Sequence, residues 1–438
     1  YPTLLEDGQQ TLVNMAGVRL QVGGAGFRLS APGQQLDLAM EVQPRRWHQV
    51  TFSFGASTAL QVHCKPGGTA EQALTAEAAW PQALALSAGD WVLAASSPGQ
   101  DHFNGRIEAP VLSDEKGKVA AWDFSVDIGS QNILDPVGGY TGRLKQNPTR
   151  GVAGVQWDGS AQSYLQAPAH YAAIHFHEDD LTDAGWQPTI AWQVPVDLPS
   201  GQYALKVEQG DSEDYVPFFV RPAMGKRGAD VAYLVPTATY LAYANQRLGF
   251  SGGIFGEMKF RHANDAFLYA HEDVGYSLYE YHRDHSGVHF SSRLRPILNM
   301  KPKTGTWAFN ADTHITAWLH HLDQPFDVVT DEDLHLEGAE ALAGYRVVIT
   351  GTHPEYYSTA MRDGLAVWLG AGGRLMYMGG NGFYWRIAYQ PDNPAVIEVR
   401  RAEDGTRAWI SNPGEYYQQF NGEYGGLWRR LGRPPNEL

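Results

Sequence analysis

Between Gly344 and Trp385 the chain runs through a short apolar stretch, a polar loop, a helical repeat, a glycine turn and a second apolar stretch. That order constrains the fold more than any other feature, because it fits a strand, helix, strand unit. Tyr345, Val347, Val348 and Ile349 form a largely β-branched run bounded by Gly344 and Gly351, the pattern of a buried parallel strand. The loop from Thr352 to Ser358 reads THPEYYS. Ser358 can cap a helix whose Met361, Leu365, Trp368 and Leu369 recur at helical spacing, and Gly370, Gly372 and Gly373 close it. A second strand, Leu375 to Met378, leads into GGNGFYW, Gly379 to Trp385. A helical crossover makes its two strands parallel. His353, Glu355 and Asn381 are therefore expected together at the carboxyl edge of one sheet, where open α/β folds place their ligands.

At 438 residues the chain exceeds one ordinary core and predicts two or three domains. Its formal net charge of -15, with no basic stripe, argues against nucleic acid as a partner. Cys64 is the single cysteine, so an intrachain disulfide and a cysteine zinc site are both excluded, and a reducing, cytoplasmic setting is expected. No apolar run reaches transmembrane length, and no basic-then-apolar leader precedes Tyr1. The missing initiator Met and the end at Leu438 read as a fragment.

Residues 1–123 alternate in short stretches between turn residues, with strands expected at Val18 to Val22, Trp47 to Phe54, Leu60 to Cys64 and Trp91 to Ala95, and read as a β-sandwich. Residues 124–222 read as a connecting segment followed by a small immunoglobulin-like module, with strands at Ile190 to Val196, Tyr203 to Val207 and Val216 to Val220. Residues 223–438 read as an α/β catalytic domain. Further strands are expected there at Val231 to Val235 and Phe326 to Val329, with a helix from Asp312 to Leu322. Gly422 to Leu438 shows no final strand or helix, which predicts an incomplete domain and a covering partner.

Tyr240 and Tyr243 lie just past the expected Val231 to Val235 strand, where a core or lid position accounts for either alone. His271 to Pro296 is a long aromatic-rich segment, and loops of that length are commonly functional. His282, His285 and His289 have loose metal-ligand spacing and could be completed by Glu355, but histidines in polar loops more often bond to backbone. IHFHEDD, Ile174 to Asp180, offers the same lure and reads as structural or interfacial. A cysteine nucleophile and a GxSxG elbow are both missing from the α/β region.

PTATYLAYAN, YSLYEYHRDHSGV, SSRLRPILNM, THPEYYS and GGNGFYW, with AWDFS, AIHFHEDDL and PFFVRP upstream, resemble the large subunit family of N,N-dimethylformamidase from about Trp122 onward. The resemblance implies a laminin-G-like N-terminal sandwich and a glutamine-amidotransferase-like α/β domain. It also implies a mononuclear Fe(III) held by two tyrosinates and a glutamate. Carried over, Glu355 is the carboxylate and Tyr240 the first phenolate. Tyr279 is the second, with Tyr281 and Tyr276 as rivals, while His353 and Asn381 stand beside the iron as catalytic groups. The implied assembly is a heterotetramer of two large chains and two small helical subunits, and the implied reaction is hydrolysis of dimethylformamide to dimethylamine and formate.

The residue chemistry agrees. Phenolates and a carboxylate are hard anionic oxygens suited to a trivalent ion, whose charge lowers a phenol pKa. Open positions on such an ion would polarise the formyl oxygen and activate water without a protein nucleophile. Hydrolysis of another small amide, or sugar binding without iron, are the competing expectations.

Overall fold

The computed structural model describes residues 1–5, 8–54, 58–64, 74–80, 89–223, 225–247, 263–305 and 307–434. The chain divides into two compact units: Tyr1–Asp180 with His282–His285, and Leu181–Tyr281 with Ser286–Leu438. Among the described residues, no helix is long and apolar enough to cross a membrane.

The first unit is built of antiparallel sheets. One runs Gln34–Ala39, Gly26–Ala31, Val18–Gly23, Gln10–Met15, Trp91–Leu93, and another His48–Ser53, Thr58–Cys64, Leu74–Trp80. Alternation decides which side chains turn inward. Val18, Leu20 and Val22 are buried while Arg19 is exposed, and Leu60 and Val62 are buried while Gln61 and His63 are exposed. These inward residues of both sheets meet with Phe27, Leu29 and Phe103 in one apolar core. Each such fully buried Val, Leu or Phe contributes about 1.5–3 kcal/mol. A third sheet orders Thr149–Val152, Ala173–Phe176 and Gly105–Glu108. Phe124 of the AWDFS segment packs on Ile133 and Ile174.

In the second unit, the immunoglobulin-like module expected before Pro222 is a single hairpin, Gly201–Gln209 with Ser212–Val220. Ile190 to Val196 forms no strand. Pro188 and Pro195 lack the N–H that a ladder needs, so an alternating pattern there finds no pairing. The parallel sheet is as expected, in the order Asp327–Thr330, Val231–Val235, Val347–Thr350, Arg374–Met376. Its inner strands read as unbroken apolar runs because both faces are covered. Helices Thr237–Ala242, Phe309–His321, Asp331–Glu337 and Thr359–Gly370 surround it. Asp331–Glu337 starts at a Thr330/Asp333 capping box, and Thr359–Gly370 at Ser358, whose Oγ accepts from the Met361 N–H at 3.3 Å.

A mixed sheet continues the unit with Phe290–Ser292, Asn393–Val399 and Trp385–Gln390, and Tyr356–Tyr357 pairs in parallel with Trp385 and Arg386. The segment after Gly422, expected to hold no strand or helix, contains the short strand Gly426–Leu427 and the turn of helix Trp428–Leu431. Gly426–Leu427 pairs with Trp385 and Arg386, and Trp428 is buried in the core.

Candidate functional site

Two neighbouring parallel strands bring the site together. Val231–Val235 lies between Asp327–Thr330 and Val347–Thr350, so the chain leaves it towards one side and returns on the other, a topological switch point at the carboxyl edge. Tyr243 follows the first of these strands as the C-cap of Thr237–Ala242. Its N–H donates to the Thr239 carbonyl at 3.1 Å, and its own carbonyl accepts from Asn299 Nδ2 at 2.8 Å. Glu355 follows the second strand and is fixed through its backbone. Its N–H donates to Thr239 Oγ1 at 3.0 Å, and its carbonyl accepts from the Tyr384 and Trp385 N–H groups at 2.9 and 3.0 Å.

Tyr279 arrives from the long loop. Leu278 ties that loop to Ala242 by an N–H to carbonyl bond of 3.1 Å, while the Leu278 carbonyl accepts from Arg401 Nη2 and Trp409 Nε1 at 3.0 and 2.9 Å. The rings of Tyr243 and Tyr279 stack with centroids 4.4 Å apart. The Tyr243 hydroxyl donates to Glu355 Oε2 at 2.6 Å. The Tyr279 hydroxyl lies 2.6 Å from that of Tyr243 and 3.2 Å from each Glu355 oxygen. Tyr356 donates to the Tyr279 oxygen at 2.7 Å, and Arg401 donates to the Tyr356 oxygen at 3.0 Å. A chain of donors thus runs from a buried guanidinium to a buried carboxylate.

His353 Nε2 lies 3.0 Å from Glu355 Oε2, and its ring packs against Trp307 with centroids 4.9 Å apart. Asn381 is exposed, with a positive φ of 49°, in a turn anchored by the Gly380 N–H on the Thr352 carbonyl at 3.0 Å. Among the described residues it is not one of the groups hydrogen-bonded to Glu355. Tyr240 stands elsewhere: its hydroxyl donates to Asp312, which also accepts from the Thr352 N–H at 2.6 Å. Of the second-tyrosine candidates, Tyr281 donates to the Ala408 carbonyl at 2.5 Å and Tyr276 lies under the Arg247 guanidinium. The geometry thus joins Tyr279, Glu355 and His353 of the expected set, and adds Tyr243, Tyr356 and Arg401.

Burial pushes the Tyr243 phenol well above its ordinary pKa, and Tyr356 and Glu355 push it further. Burial, Glu355 and Tyr243 do the same to Tyr279, against the opposing pull of Arg401. Burial opposes the Arg401 charge, yet Tyr356 and Tyr279 hold it above the usual guanidinium value. Such phenols ionise only beside a strong cation. The site fits one: the Tyr243 and Tyr279 hydroxyls and Glu355 Oε2 lie mutually within 3.2 Å, near the about 3 Å between adjacent ligands of a six-coordinate ion with bonds of about 2 Å.

A family model described as N,N-dimethylformamidase beta subunit-like, C-terminal, matches residues 149–438. The N,N-dimethylformamidase beta subunit of Paracoccus aminophilus is 37% identical over 391 residues, which cover 82% of this chain and 50% of that one. That of an Alcaligenes species is 37% identical over 373 residues, 77% of this chain and 49% of that one. The chain spans about half the length of the curated relatives it matches.

Proposed function

Because the chain belongs to the N,N-dimethylformamidase beta subunit-like family, we propose that it forms the iron-binding part of an amide hydrolase that converts N,N-dimethylformamide and water to dimethylamine and formate. The observation that carries this reading is the buried convergence of Tyr243, Tyr279 and Glu355, three hard oxygen donors, at the carboxyl edge of the parallel sheet. Fe(III) held by them would supply Lewis acidity towards a carbonyl oxygen and water. Tyr243 replaces Tyr240 as the first phenolate in this reading, since the Tyr240 hydroxyl is committed to Asp312.

The chain's own groups position the reaction. His353, oriented by Glu355 and Trp307, presents its remaining ring nitrogen towards the turn that carries Asn381; a Cβ on Gly380 would lie 3.9 Å from His353 Nδ1. The two side chains can hydrogen-bond water and the oxygen on which negative charge develops. Arg401 is a positioning residue: through Tyr356 it holds Tyr279, and its charge favours an ionised phenol there.

We read the N-terminal sheets as laminin-G-like, supported by the two sheets sharing one core, and the parallel-sheet unit as amidotransferase-like, supported by its strand order. A partner subunit is supported by the word "subunit" in both relatives' names, and we take it to be a small helical chain in a heterotetramer of two large and two small chains. A cytoplasmic setting is supported by a sequence with one cysteine.

The test is dimethylamine release from dimethylformamide by the iron-loaded protein in its native assembly. His353→Ala should abolish most turnover while leaving most of the iron bound. Turnover of the iron-free protein equal to that of the loaded one would overturn the reading.

A further inference from the structure

The first unit carries a separate set of metal-binding side chains. His175 lies in the strand Ala173–Phe176 and His177 directly follows it, two residues apart, so both rings leave one face. Asp284, 109 residues from His175 and part of the same unit, meets both. Its Oδ2 lies 2.9 Å from His175 Nε2 and 3.7 Å from His177 Nε2. All three side chains are buried, and their ligating atoms lie within 4.8 Å of one another. Thr3 Oγ1, 3.4 Å from His175 Nε2, brings a further oxygen.

The orientation of His177 agrees with this convergence. Its Nδ1 faces Asp180 Oδ2 at 3.3 Å. A neutral imidazole carries one N–H. If Asp180 takes it, the Nε2 lone pair lies on the side of the Asp284 carboxylate, and a cation between the two would be held by both. The 3.7 Å gap is too long for a hydrogen bond. It is near the about 3.4 Å that separates two ligands of a tetrahedral ion when each bond is about 2.05 Å.

We propose that His175 Nε2, His177 Nε2 and Asp284 Oδ2 bind one divalent transition ion, with zinc the best match to two imidazoles and a carboxylate in a closed setting. Asp180 then serves as the carboxylate behind a ligating histidine, fixing its tautomer. The ion's role is structural, tying the His175 strand to the His282–His285 segment within the unit. His282 is a neighbour and not a ligand. Its ring stacks on His177 with centroids 3.8 Å apart and planes 4° apart, so the two sets of lone pairs run parallel instead of converging, and Asp179 Oδ1 holds its Nδ1 at 2.6 Å. The rival occupant is a proton on His177.

The experiment is a cobalt(II) titration of the metal-depleted 438-residue protein, followed by visible ligand-field absorption, with the Tyr243→Phe/Glu355→Gln double variant in parallel to remove the tyrosine site. The double variant should bind one equivalent of cobalt with the intense absorption of a four-coordinate site, and zinc should displace it. His177→Ala and Asp284→Asn placed in that background should weaken binding more than about 100-fold, while His282→Gln should change it only a few-fold. A double variant that binds no cobalt, as expected of a cluster that takes only a proton, overturns the proposal even if a ligand variant fails to fold. Equal binding by His177→Ala overturns it too.

Discussion

Tyr240 and Tyr243 are three residues apart around one short helix, yet their hydroxyls answer to different acids, Asp312 and Glu355. The difference gives them separable phenotypes. Tyr240→Phe should keep its iron and lose about 1–3 kcal/mol of stability, because a buried Asp312 oxygen loses its donor. Urea unfolding and iron content measure the two effects on the same sample, and loss of iron with unchanged stability would return the ligand role to Tyr240. Arg401 is fully buried among the rings of Tyr279, Trp385 and Trp409. A cation beside a phenolate lowers the energy of its electrons, so Arg401→Met should move the tyrosinate charge-transfer band of the iron-loaded protein to longer wavelength. A band that stays in place would mean the guanidinium serves packing alone.

The helix that follows Glu355 shows how an element is tied to pH. Ser358 Oγ accepts from the Met361 N–H and lies 2.8 Å from His335 Nδ1, while the His335 ring stacks on Tyr389 at 4.3 Å. Burial holds the His335 pKa below its ordinary value, against the pull of Glu423. The unfolded chain therefore binds a proton, at pH below about 6.5, that the folded chain refuses. Stability should fall as pH drops through that window, and it should fall less steeply in His335→Gln, as thermal unfolding across pH would report. Parallel slopes would contradict the assignment. Ser358→Ala should cost about 1 kcal/mol at any pH. This helix, its cap and the strands around it were legible in the sequence because apolar spacing and capping chemistry are local. The separation of Tyr240 from Tyr243 was not legible, since both occupy plausible positions past one strand end and only Asp312 and Glu355 distinguish them. Arg401 was hidden for a similar reason: it follows Asn393–Val399 in the other sheet, and nothing in VIEVRR marks it as the partner of Tyr356. The pairing of IHFHEDD with the His282 to Asp284 segment likewise depends on contacts across more than a hundred residues.

At the scale of the molecule, Met376 at the end of the edge strand Arg374–Met376 and the following Tyr377 and Met378 are 37%, 44% and 40% exposed. Three such apolar side chains beside an open sheet edge favour association. Light scattering on the native protein should give a mass above one chain, and Met376→Asp should reduce it. An active, monodisperse species of a single 438-residue chain would contradict the proposed assembly. The central claim is that two tyrosines and a glutamate gathered at one switch point hold a ferric ion. Resonance Raman spectra of the iron-loaded protein, excited in its visible band, test this most directly. We predict tyrosinate modes in the wild type and in Tyr240→Phe, weaker modes in Tyr243→Phe and in Tyr279→Phe, and none in the Tyr243→Phe/Tyr279→Phe double variant. Tyrosinate modes that persist unchanged in that double variant would contradict the claim.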